Sequence, residues 1–275
     1  MKRAVADKPV GESDQTARPI RQAPPGGSSI EPRQRYFSWR RFVALYRLFL
    51  RQQATTGRLA LLGTLGVVGV ILGAVTGARD VFDHLRAGAR LVDLYGLSLL
   101  APVASLVFAS SAVGDLVDDQ TLVYLWARPI SRLHVVAAAS AASLTICLPL
   151  VVVPMAVAAA LSGGGGELVL GTCVSCAIAV AAYVGIFSAF GLRFRRALVW
   201  GIVYILLWEQ FAARAGRGAT KLAVLAYTSS VLSAYTGIGL RLGTLSVTTG
   251  IVVPLIAATI AVAYAGRRLS RQEIA

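Results

Sequence analysis

The sequence predicts an all-α membrane protein. It has six transmembrane helices, an N-terminal interfacial amphipathic helix and a short cytoplasmic helix between the second and third spans. Three observations carry this reading. Of 275 residues, 56% are hydrophobic and 15% charged, where a soluble domain carries about 25% charged residues. The apolar residues fall into runs near the roughly 20 residues that cross a bilayer as a helix. The basic residues fall between those runs, and unevenly.

Residues 1–34 are rich in Pro, Gly, Ser and Gln, with no apolar period. They read as a disordered cytoplasmic tail rather than a secretory signal, because no apolar core follows the first basic residues. Residues 35–58 form the interfacial helix and its connection. Ser38 is a candidate cap. At 100° per residue Phe42, Leu45, Tyr46 and Phe49 share one side, while Arg40, Arg47 and Arg51 share the other. That is the pattern of a helix lying in the membrane interface, its basic side towards anionic headgroups.

The remainder, 59–275, holds six spans near 59–78, 94–114, 135–161, 168–192, 197–213 and 245–266. Span one carries Gly69, Gly73 and Gly77 at four-residue spacing, which lets a neighbouring helix approach closely. As bounded here, spans one to four and six contain no charged residue. Span five meets Glu209 after twelve uncharged residues, so it is short. Trp208 and Glu209 are candidate gating or outer-leaflet residues, since an acid at membrane depth is costly and usually functional. Within the long segment 209–243, "KLAVLAYTSSVLSAY" is too short and polar for a span. It is expected as short helices in or near the outer leaflet.

Lys and Arg set the orientation. With the N-terminus inside, the inside segments hold 20 basic residues against 7 outside, and 14 against 7 without residues 1–34. Both termini are therefore expected in the cytoplasm, the protein in the cell membrane. The net charge of +14 is largely this asymmetry, with no nucleic-acid motif beside it. Cys147, Cys173 and Cys176 lie inside apolar runs, where packing is the better reading than metal or redox chemistry. His84 and His134 have no second ligand near them in sequence, so no metal is assigned. "LSGGGG" at 161–166 looks like an ATPase signature, but the sequence has no GxxxxGK[ST] phosphate loop. The chain is thus not expected to be an enzyme and binds no cofactor of its own.

The loop "DDQTLVYLWARPISR", 118–132, has acids at its front, apolar residues at its centre and a Pro near its end. Those are the marks of a short helix that docks. Asp118 and Asp119 are adjacent and so point about 100° apart on a helix, which excludes a facing carboxylate pair.

The order of elements, this loop, "RRALVWGIVYILLWEQ" at 195–210 and the basic end "RRLSRQEIA" at 267–275 together resemble the type-2 ABC exporter permease family. Gln120 stands where that family commonly has Gly. The resemblance spans about residues 35–275. It implies a transmembrane permease subunit, paired with a second protomer as a homo- or heterodimer and embedded in the lipid bilayer. A separate cytoplasmic ATPase would bind the ATP. The loop would be the coupling helix, with Asp115, Val117, Asp118, Asp119, Thr121, Leu122, Leu125, Trp126 and Arg128 contacting the ATPase. The apolar spans suit export of a hydrophobic or amphiphilic substrate. The alternatives are a stand-alone membrane transporter and a non-transporting assembly or immunity protein.

Overall fold

A computed structural model describes residues 39–79, 83–118, 132–194, 196–212 and 223–271. All elements among them are helical. Helix α1 is Trp39–Gln53 and α2 is Thr56–Ala78. The third rod, α3, joins His84–Leu91, a π-helical stretch Val92–Leu100 and Ala101–Asp118. Helix α4 is Arg132–Leu161 and α5 is Gly165–Arg193. Helix α6 joins Ala197–Val203 to a second π-helical stretch, Tyr204–Ala212. Helices α7, Val224–Thr236, and α8, Val247–Arg271, complete the bundle.

Among the described residues five helices are long and apolar enough to cross a membrane: α2, α3, α4, α5 and α8. The sixth apolar helix, Ala197–Glu209, is shorter. The protein is therefore a multi-pass, membrane-embedded helical bundle. Helix α5 sits at its centre and packs against α3, α4, α7 and α8. Its inward side chains include Tyr183 and Phe187, both fully buried.

The glycines of span one pack within the chain. A Cβ on Gly69 would lie 2.9 Å from the Tyr95 ring, and one on Gly73 would lie 2.6 Å from the Ala158 Cα. Helices α2 and α4 therefore touch nearly backbone to backbone. The Tyr95 hydroxyl donates to the Leu65 carbonyl at 2.6 Å and ties α3 to the same seam.

The amphipathic reading of α1 holds, but its apolar side has a different neighbour. Phe42, Leu45, Tyr46 and Phe49 pack onto Val135, Ala138, Ala139 and Ala142, near the start of α4. Gln53 is buried there too, accepting from Ser143 Oγ at 2.9 Å. The small residues of α4 let the apolar side of α1 pack closely against it.

Candidate functional site

Helix α7 is where the structure departs most from expectation. It is one helix, largely enclosed by protein. Val224, Leu225, Ala226, Thr228, Ser229, Ser230, Val231 and Leu232 are all buried. Its hydroxyls are satisfied locally: Thr228 donates to the Leu225 carbonyl at 3.1 Å, Ser230 to Ala226 at 2.6 Å and Thr236 to Leu232 at 2.8 Å. A segment that looks polar in sequence is thereby rendered nearly apolar in space. Gly237, at φ 66°, takes the left-handed turn that ends the helix.

The two ends of α7 lie at different depths. Its last turn meets the start of α5, where Tyr235 closes over Gly171. Its first turn meets α6, whose Tyr204 ring packs on Phe187 and Phe190 in the second half of α5. The helix thus begins inside the bundle and runs to one end of it. A buried helix start exposes N–H groups that need partners, since no water reaches them there.

Glu209 supplies those partners. It is 1% exposed. Its Oε1 accepts the Val224 N–H at 3.1 Å and its Oε2 the Leu225 N–H at 3.2 Å. The Tyr204 hydroxyl donates to Oε1 at 3.0 Å. The Tyr183 hydroxyl faces the same carboxylate without reaching hydrogen-bonding geometry. The positive end of the α7 dipole and a carboxylate are therefore in direct contact. Trp208, the other candidate here, is half-buried beside it on α6.

A second acid reaches α7 from another side. Asp93 accepts a short hydrogen bond from the Ser229 hydroxyl. Span two was expected to begin at Leu94, but the helix starts ten residues earlier at His84 and carries Asp93 into the bundle. Both acids sit on π-helical stretches, Val92–Leu100 and Tyr204–Ala212. Such stretches widen a helix locally and recur at functional sites.

The residues expected to couple to an ATPase fall mostly outside the described residues. Asp115, Val117 and Asp118 are in the last turns of α3. The sequence had placed acids at a helix start. The α3 backbone continues through them because nothing between Ala101 and Asp118 stops it after Pro102. Asp119, Thr121, Leu122, Leu125, Trp126 and Arg128 lie outside the described residues. Among the described residues no group of three His, Cys, Asp or Glu side chains is placed to hold a metal.

No family model and no curated protein matches the chain.

Proposed function

We propose that this chain is the transmembrane permease subunit of an ABC transporter, working with a second protomer and a separate cytoplasmic ATPase. One observation carries most of this reading: helix α7 begins inside the bundle and is held there by Glu209. Interrupted helices at membrane depth are tolerated where they are enclosed by protein or line a pathway, and in transporters such helices sit at binding sites and gates. Helix α7 is then a gate between the bundle interior and one membrane face. The energy comes from ATP bound by the partner, transmitted through the segment after α3. Export of a hydrophobic or amphiphilic substrate and a cell-membrane location with cytoplasmic termini belong to the same proposal.

A stand-alone secondary transporter is the second reading, and Asp93 and Glu209 favour it. Two acids inside a membrane bundle are what ion or proton coupling needs. Purification of the tagged full chain in mild detergent separates the two. An ABC ATPase subunit identified by mass spectrometry in the complex supports the first reading. Uptake driven by an ion gradient in liposomes holding this chain alone supports the second.

A further inference from the structure

We propose that the exposed arginine stripe of α1 is a binding surface for anionic phospholipid headgroups. One side of α1 is already occupied. Phe42, Leu45, Tyr46 and Phe49 face α4, and Gln53 is buried there. Phe49 and Gln53 are buried and Phe42, Leu45 and Tyr46 half-buried, so α4 takes up most of that side. Arg40, Arg47 and Arg51 lie within about 40° of one another on the opposite side, at 100° per residue, and all three are exposed. No ion pair among the described residues engages them.

The stripe is flanked by apolar contacts. Trp39 is 64% exposed on one side of it and Leu48 is 59% exposed on the other. Residues 35–58 contain no Asp or Glu, so nothing in the helix offsets the charge. Helix α2 begins three residues after α1 ends, which holds the stripe beside the membrane. Arginines flanked by Trp and Leu match a layer of phosphates above acyl chains: guanidinium groups take the phosphates and the apolar flanks take the upper chains.

The consequence differs from that of an ordinary amphipathic helix. A helix that buries its apolar side in lipid binds through area and is only modestly sensitive to headgroup. Here most of that side is spent on protein, so lipid contact leans on the arginines. It must depend on anionic headgroups and on salt.

The test uses the full chain in detergent micelles containing equimolar phosphatidylglycerol and phosphatidylcholine. After size exclusion, the two retained lipids are quantified. The wild type is expected to retain phosphatidylglycerol at least about threefold over phosphatidylcholine, because surface arginines attract anionic headgroups. R40Q/R47Q/R51Q should fall towards parity, each single Arg→Gln variant should fall part-way, and R40K/R47K/R51K should keep the preference. The single and Lys variants decide the matter if the triple Gln variant does not fold. Parity in the wild type overturns the proposal and leaves the stripe to an acidic protein partner. So does a preference that survives in every Gln variant.

Discussion

Glu209 and Val224 lie fifteen residues apart and are joined by a 3.1 Å hydrogen bond from the Val224 N–H to the Glu209 carboxylate. The bond links the end of a short apolar helix to the buried start of α7. Removing its acceptor leaves the Val224 and Leu225 N–H groups and the Tyr204 hydroxyl without it. Glu209→Ala is therefore expected to destabilise the protein by about 3–5 kcal/mol, since each buried donor left unsatisfied costs about 1–3 kcal/mol. Glu209→Gln keeps one acceptor oxygen, and should cost about 1–3 kcal/mol. Thermal unfolding in detergent checks both. Equal melting of Glu209→Ala and wild type would show that the carboxylate does not hold α7.

Asp93 and Ser229 form the second attachment of α7. A double-mutant cycle with Asp93→Leu and Ser229→Ala should give a coupling energy of about 1–2 kcal/mol, as for residues sharing one charge-assisted hydrogen bond. Asp93→Asn keeps an acceptor and should retain most of the stability. Additive single effects would show that the two residues are not linked.

Much of this architecture was legible in the sequence, and the misses have physical causes. Spans one, three, four and six follow from apolar runs, and their helices begin or end within a few residues of expectation. Asp93 was missed because a charge was taken to end a span, yet its contact with Ser229 lets the helix carry it inward. Helix α7 was underread because its Ser and Thr residues count as polar in sequence. Their bonds to carbonyls a turn earlier conceal that polarity. Glu209 itself was readable as an acid at the end of a short span. Its partners were not, because Val224 and Leu225 contribute backbone groups, which leave no mark on residue type. The apolar side of α1 was equally visible, but whether lipid or α4 covers it depends on tertiary packing.

The glycine seam gives a paired test of packing. Gly73→Ala should separate α2 from α4 and cost about 1–3 kcal/mol, because its Cβ would lie 2.6 Å from the Ala158 Cα. Gly63 has nothing within 4 Å of an added Cβ. Gly63→Ala should be neutral or stabilising by up to about 1 kcal/mol through helix propensity. Thermal unfolding of the two variants reads the difference. Equal effects would mean that the seam is not closely packed.

Charge reversal after α3 tests the proposed coupling. D118K/D119K should reduce the amount of ATPase subunit recovered with the chain at least about tenfold, the loss expected when a docking charge pair is made repulsive. Membrane insertion, followed by protease protection of the loops, should stay unchanged. Full ATPase recovery with the reversed charges would remove these residues from the docking surface.

The most direct measurement is the composition and ATP hydrolysis of the complex formed by the tagged, wild-type chain in mild detergent. The account predicts an ABC ATPase subunit equimolar with this chain, with hydrolysis that co-elutes with it. A homogeneous, folded preparation that repeatedly contains no ATPase subunit and hydrolyses no ATP would contradict it.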